Sequence, residues 1–391
     1  MKRKLLPLAL GGLGIGSTEF VMMGILPDVA REFNISIPQA GHMISAYALG
    51  VVIGAPALVA ASSRIAPKKI LLGLMFLFTL FNTLSAFAPN NQVLFITRLL
   101  SGLPHGAFFG VGSVVASRLA EKGKQASAIA TMFSGLTIAN LVTVPLGTYI
   151  GHEYSWRFAF GGVGVIGLIT MAAVYFILPA LPVKRTGNIQ TELKVFRKPE
   201  PWLIFMITAI GTGGLFCWIS YVAPLMTEVA RFSASSVPYI MIVAGLGMVV
   251  GNFIGGKLAD SLKPAVATIV LLGAMAVTLV LIYFFSSSQV ASVILTFIAG
   301  SCSLALAAPI QLLMIESAKG AEMLGASITQ AAFNLGNALG AFLGGLPIAA
   351  GFGYTSPSIV GVVMAIGGAG FAWWLIQRHK KLQYAGASNR E

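Results

Sequence analysis

Twelve apolar runs, each about twenty residues long and separated by charged or turn-forming residues, dominate this chain. They fall near residues 5–26, 40–61, 68–88, 92–117, 126–150 and 157–180 in the first half. In the second half they fall near 201–224, 236–258, 264–285, 290–315, 323–349 and 354–377. A helix of roughly 20 apolar residues crosses the hydrocarbon core of a bilayer. Within that core every backbone N–H and C=O must be satisfied inside the helix or around a closed barrel. Barrel strands alternate apolar and polar residues, and these runs do not. The expected fold class is therefore an all-α membrane protein of twelve transmembrane helices. Composition agrees: 9% of the 391 residues are charged, against roughly 25% in a soluble domain.

The net charge of +13 would suggest nucleic acid in a soluble protein, but its placement argues against that partner. With the N-terminus placed inside, 21 lysines and arginines fall in inner segments and only Arg31, Arg157 and Arg231 in outer loops. Short cytoplasmic loops carry such an excess, so both termini are expected on the cytoplasmic side of a bacterial inner membrane. The start MKRKLLPLAL has the basic and apolar parts of a signal peptide, yet the apolar run continues to Leu26 without a small-residue cleavage site. It is expected to be retained as the first span. Trp156, Trp202, Trp373 and Trp374 lie near span ends, where interfacial anchors belong. Cys217 and Cys302 sit in apolar runs and suggest neither a disulfide framework nor a metal site.

The polar interval 181–200 divides six spans from six. The expected organisation is a bundle at 1–180, a cytoplasmic linker at 181–200, a second bundle at 201–378 and a cytoplasmic tail at 379–391. A shift of 197 positions brings Gly50 to Gly247, Gly54 to Gly251, Pro67 to Pro264, Lys122 to Lys319, Gly123 to Gly320, Asn140 to Asn337 and Gly147 to Gly344. Such matches point to a duplication. Two parallel six-helix halves with a site between them form an alternating-access transporter.

A few polar groups lie inside the spans. A cation near mid-membrane costs at least ~2.5 kcal/mol and is tolerated where it has a partner, a water-filled cavity or a task. Arg98 lies within the run NQVLFITRLLSGLPHGAFFGVGSVVASR, with His105 seven positions on along the same face. Gly102, Gly106 and Gly110 form a smooth ridge for close helix approach. Glu19 sits about 12 Å below a first-span end placed near Pro27, and Arg98 about 9 Å below its own, by the rise per helical residue. Contact is compatible with those depths. One reading makes Glu19 the protonatable carboxylate, with Arg98 tuning it or replacing its proton. The other makes the two a static ion pair. His105 could relay protons or hold substrate or a neighbouring helix as a neutral hydrogen-bonding group. Gln330, Asn334 and Asn337 share one helix face and, with Asn140, either line a polar cavity or join helices. Met22, Met23, Phe108, Phe109, Trp218 and Tyr221 could touch an apolar solute, although ordinary packing accounts for each. No Walker loop, HExxH or nucleophile elbow is present, so no enzyme, cofactor or metal site is expected. Energy must then come from an ion or solute gradient.

These residues resemble the major facilitator superfamily, specifically its twelve-span drug:proton antiporter branch. The segments STEFVMMGILPDVAREFNISIPQAGHMISAYALG, RLLSGLPHGAFFGVG and ITQAAFNLGNALGAFLGG are similar to the AraJ-type and sugar-efflux members of that branch. The family's loop motif GxLaDrxGRrk corresponds to Ala57–Lys69, where Arg64, Lys68 and Lys69 match its basic positions and Ser63 replaces its aspartate. The second copy, GKLADSLKP, retains Asp260. The resemblance implies that this motif latches the inner helix ends, and more weakly in the first copy. It also implies proton coupling at Arg98. The antiporter motif gxxxGPxxGG falls on Asn140–Thr148, keeping Pro145 and Gly147 but carrying Asn140, Val144 and Thr148 at glycine positions.

The expectation is thus a monomeric secondary transporter, with the bilayer, protons and a small-molecule substrate as partners. It would export a sugar or amphipathic drug-like solute in exchange for protons. The competitors are a proton symporter or uniporter importing a nutrient, a polytopic membrane enzyme and a signalling protein. The enzyme would need an intramembrane catalytic cluster, where only isolated Glu19 is found. The signalling protein would need a sizeable soluble domain, and the longest polar interval is about twenty residues.

Overall fold

The structure is a computed structural model and describes residues 2–35, 37–62, 65–182 and 189–388. Every regular element among them is helical. Twelve helices are long and apolar enough to cross a bilayer. The first six are α1 (Arg3–Phe33), α2 (Gln39–Ala61), α3 (Pro67–Ala86), α4 (Asn91–Leu119), α5 (Gln125–Glu153) and α6 (Trp156–Ile177). The rest are α7 (Pro199–Ile219), α8 (Val237–Leu262), α9 (Pro264–Phe285), α10 (Gln289–Ser317), α11 (Glu322–Ala349) and α12 (Ser356–Arg378). A short linker helix, Ile189–Val195, lies between α6 and α7.

The chemistry of the helix starts is conventional. Pro67, Pro199 and Pro264 open α3, α7 and α9, where a missing N–H costs nothing. Asn90 and Ser288 cap α4 and α10 by accepting the backbone N–H of Val93 and Ala291. Among the span ends, the largest departure from expectation is that of the first helix, and the seventh also ends early, at Ile219 and not near 224. α1 does not stop near Pro27 but continues to Phe33. Ile25 and Val29, both buried, pack into a cluster with Trp156 and Phe160, and that burial carries the helix through the proline. Trp156 is consequently a core residue, 1% exposed, and not an interfacial anchor. Trp202, Trp373 and Trp374 are exposed. Two spans contain a wider π turn, at Ala139–Thr143 in α5 and Ile207–Thr212 in α7.

The chain groups into two compact units, residues 1–193 with 319–334, and residues 194–318 with 335–391. The opening turns of α11 therefore pack with the first unit. In that unit α2 packs along α4, α3 along α6 and α1 along α5. In the second unit, taken by itself, α8 packs along α10 and α9 along α12. Two of the three pairs of the first unit, α2–α4 and α3–α6, thus have counterparts in the second.

Glycine positions make the correspondence specific. A Cβ built on Gly50, Gly54 or Gly102 would lie 2.1, 2.3 or 2.2 Å from the carbonyl oxygen of Leu99, Leu103 or Tyr47. On Gly247, Gly251 or Gly300 it would lie 2.1, 1.8 or 2.3 Å from that of Phe297, Ser301 or Ala244. No side chain larger than hydrogen fits at these crossings. The offset is 197 from α2 to α8 but 198 from α4 to α10, both 29 residues long. One residue is thus gained before α10 and lost again after it. Gly123 and Gly320, in the turns that follow, return to the offset of 197 and share a left-handed φ of +80° and +94°.

Candidate functional site

The polar residues of the first unit converge around Arg98. On α1, the neighbours Ser17 and Thr18 are both buried. Ser17 shares a hydrogen bond of 2.5 Å with Thr143 in the π turn of α5, through their hydroxyls. The Thr18 hydroxyl donates to Asn82 Oδ1 of α3 at 2.5 Å and accepts from Arg98 Nη1 at 2.9 Å. Asn82 Nδ2 donates in turn to the backbone of Phe78. Three helices thus meet through one threonine hydroxyl.

Arg98 itself has no exposed surface. Its Cζ lies 4.4 Å from the centroid of the Tyr47 ring and 5.4 Å from that of Phe160. A desolvated cation–π contact contributes about 2 kcal/mol, less than the several kcal/mol lost on burying an ion. Nη1 is bonded, while Nε and Nη2 have no hydrogen-bond partner among the described residues. Those two nitrogens form one complete edge of the guanidinium fork, the edge that takes a carboxylate in two parallel bonds. A buried donor without a partner costs about 1–3 kcal/mol. Among the described residues that edge is left open to an anionic acceptor.

Glu19 follows Thr18 on α1 and is half-buried. It lies in the electrostatic field of Arg98. Among the described residues, however, no ion pair within 4.0 Å joins the two. The static ion pair considered from the sequence is not what this structure contains.

Tyr47 connects this group to His105. Its hydroxyl meets His105 Nδ1 at 3.1 Å. The His105 ring, 3% exposed, stands edge-on to Phe109 at 5.3 Å, and Phe109 stacks on Phe133 at 4.9 Å. The glycine ridge of α4 serves two neighbours. Gly102 abuts α2, Gly106 lies against Ala55 and Gln330, and Gly110 lies against Ser327 of α11. Gln330 is buried beside this ridge, and Asn334, half-buried, donates to the Gln330 carbonyl. Asn140 is half-buried in the π turn of α5. Asn337 belongs to the second unit.

The remaining sequence candidates are dispersed. Lys68 Nζ donates to the carbonyls of Tyr175 and Leu178 at 2.8 and 2.6 Å, holding the C-terminal end of α6. Lys69 is exposed, and Arg64 lies outside the described residues. Asp260 is half-buried near the end of α8. Pro145 and Gly147 lie in α5, where Gly147 faces Val21 of α1. Met22 and Phe108 are buried, and Phe108 occupies the space over Gly11. Met23 is 50% exposed. In the second unit the Tyr221 hydroxyl donates to the Ala341 carbonyl, and Trp218 is buried.

Thr18, Tyr47, Asn82 and Phe160 were not singled out from the sequence. Asn82 carried a readable signal, an amide inside the apolar run LFTLFNTLSAF. Tyr47 and Phe160 carried none, because aromatic residues are common in any span. No group of three or more His, Cys, Asp or Glu side chains gathers among the described residues to hold a metal.

Comparison with known proteins fixes the family. The model for the Major Facilitator Superfamily matches residues 8–328. AraJ of Escherichia coli (strain K12) is 42% identical over 385 residues, covering 98% of each chain. The inner membrane transport protein YdhP of the same strain is 40% identical over 362 residues and 92% of each chain. Among solved structures, the E. coli fucose:proton symporter FucP superposes with a TM-score of 0.77 at 14% identity, covering 95% of this chain and 98% of that one. The proton:xylose symporter XylE gives 0.76 at 16%, covering 95% and 94%. At such identities these two attest the fold alone. With twelve apolar helices in two correspondingly packed units and full-length similarity to AraJ, the chain belongs to the major facilitator superfamily and is a multi-pass secondary transporter, not an enzyme.

Proposed function

We propose that this transporter resides in the bacterial inner membrane and exports a small organic solute, a sugar or an amphipathic compound, in exchange for protons. The observation that carries the reading is the fully buried Arg98, whose Nε and Nη2 edge has no partner among the described residues while Glu19 lies in its field at no ion-pair distance. A carboxylate and a guanidinium so arranged have two states. Protonated, Glu19 is neutral and makes no demand on Arg98. Deprotonated, it is the acceptor that the open edge lacks. Such a pair changes its helix contacts with each proton gained or lost, as a proton-coupled exchanger requires. His105, Asn140, Gln330, Asn334 and Asn337 are the polar residues assigned to the solute cavity. Pro145 and Gly147 are assigned to rocking of α5 against α1. Lys68, Lys69 and Asp260 are assigned to the inner-end latch, together with Arg64. The excess of 21 lysines and arginines in one set of loops supports cytoplasmic termini. The transporter is taken to act as a monomer.

The test is transport in inverted membrane vesicles, after a panel of labelled sugars and amphipathic cations in an efflux-deficient host has identified a solute. An exporter accumulates that solute when the vesicle interior is acidified. Accumulation only with the opposite gradient would make the protein an importer. Gradient-driven transport that survives Glu19→Gln would remove the proton role from that residue.

A further inference from the structure

The two helix pairs α2–α4 and α8–α10 share their backbone crossing but not the side chains around it. Gly102 rests on the Tyr47 carbonyl just as Gly300 rests on that of Ala244. At the offsets that align these crossings, Tyr47 corresponds to Ala244, Arg98 to Thr296 and His105 to Ser303. The second pair therefore packs with neither an aromatic ring nor a cation at these places. The crossing does not require Tyr47. Its side chain is nevertheless 2% exposed and engaged at both ends. The ring face lies 4.4 Å from the guanidinium of Arg98, and the hydroxyl meets His105 Nδ1 at 3.1 Å.

We propose that Tyr47 is a positioning residue that couples the Glu19–Arg98 charge site to His105. The inference rests on the exchange reading above and names a link within it. The charged and titratable groups acting on Tyr47 are Arg98 across its face, His105 at its hydroxyl and Glu19 through its field. When Glu19 loses its proton it draws on the open edge of Arg98. The guanidinium lies against the Tyr47 ring, so its displacement moves the ring and with it the hydroxyl. Where the hydroxyl donates to Nδ1, the histidine keeps its proton on Nε2. Where Nδ1–H donates, Nε2 is a bare acceptor. A change at the carboxylate thus reaches the solute cavity as a change in what His105 offers, donor or acceptor. No proton needs to travel between the two residues.

The chain has four histidines, so histidine labelled with nitrogen-15 resolves His105 in the full-length protein in lipid nanodiscs, assigned with His105→Asn. The wild type is expected to show one favoured neutral tautomer, with signals that shift when Glu19→Gln is introduced. Tyr47→Phe keeps the ring on Arg98 and removes the hydroxyl. It is expected to weaken the tautomer preference about fivefold, the worth of one hydrogen bond, and to abolish the response to Glu19→Gln. A response that persists in Tyr47→Phe overturns the proposal. The double variant Tyr47→Ala with Arg98→Thr reproduces the second pair's residues and is expected to insert and fold. Failure to fold would make Tyr47 a packing residue and overturn the proposal as well. The readout needs no solute. Proton-driven export with an intact response in Tyr47→Phe therefore defeats this inference alone, whereas loss of the response without proton-driven export defeats only the exchange reading.

Discussion

Gly102→Ala and Gly300→Ala place the same methyl at corresponding crossings, one against the backbone of Tyr47 and one against that of Ala244. The added Cβ would lie 2.2 Å from the Tyr47 carbonyl oxygen in the first case and 2.3 Å from that of Ala244 in the second. Ordinary contact begins at 3.4 Å. In each case the obstacle is backbone, so a rotamer change cannot relieve it, and the helices must part by about 1 Å. Overpacking of that kind costs about 1–3 kcal/mol, which for a unit of this size lowers the unfolding temperature by roughly 5 °C. The assay is intrinsic to the chain, because Cys217 and Cys302 are free and buried and react with a thiol-specific dye only as the fold opens. Both variants are expected to lose similar stability. Their effects on transport should differ, because parting α2 from α4 moves Tyr47 off Arg98, and Gly300 has no such neighbour. Gly102→Ala is expected to uncouple transport from the proton gradient, while Gly300→Ala keeps coupling in the molecules that remain folded. Equal loss of coupling in both would refute the assignment of the charge site to the first pair. Undiminished stability in both would refute the close crossings themselves.

Three further outcomes are expected. Thr18→Val removes the acceptor for Arg98 Nη1 and the donor to Asn82, stranding another buried donor at about 1–3 kcal/mol, whereas Thr18→Ser should recover most of the unfolding temperature in the same dye assay. Lys68→Met frees the carbonyls of Tyr175 and Leu178 at a cost of about 1 kcal/mol for a partly exposed charge, read as faster backbone hydrogen exchange at the end of α6. In the turn after α4, the Lys124 ammonium holds the Glu121 carboxyl below its ordinary value, and the same contact of 2.5 Å holds Lys124 above its own. The pair's support for that turn is therefore present above the ordinary glutamate range and below the ordinary lysine range. It fades as pH falls through the lowered carboxyl value or rises through the raised ammonium value. Because both groups are exposed, Glu121→Gln should slow hydrogen exchange nowhere and speed it in that turn only at low salt.

The spans were legible because a bilayer demands the same thing of every crossing segment, about twenty apolar residues without interruption. The ends were less legible. Pro27 reads locally as a stop, and only the burial of Ile25 and Val29 against Trp156 and Phe160 overrides it. Nothing in the local sequence announces that packing. The duplication showed as a single shift of 197, but the compensating residue around α10 emerged only once the glycine crossings could be paired. At the site, rarity exposed Glu19, Arg98 and His105, since ionisable residues are conspicuous in an apolar run. Thr18 and Tyr47 stayed hidden because hydroxyls and aromatics are unremarkable there, and their importance lies in which atoms they meet across three helices. The absence of a direct Glu19–Arg98 pair could not be read from depth along two helix axes, which constrains height in the membrane but not the direction of a side chain.

The equal length of α4 and α10 has an engineering consequence. Two spans of 29 residues, each capped at its first turn by a side chain and each followed by a glycine of left-handed φ, share length and ends, although α10 turns at Leu306 where α4 runs unbroken. Grafting residues 91–119 in place of 289–317, with Ala244→Tyr beside them, would install a second arginine–tyrosine pair without shifting the register of any neighbouring segment. A carrier with two such pairs but the single carboxylate of Glu19 would report whether an added arginine–tyrosine pair alone alters proton coupling.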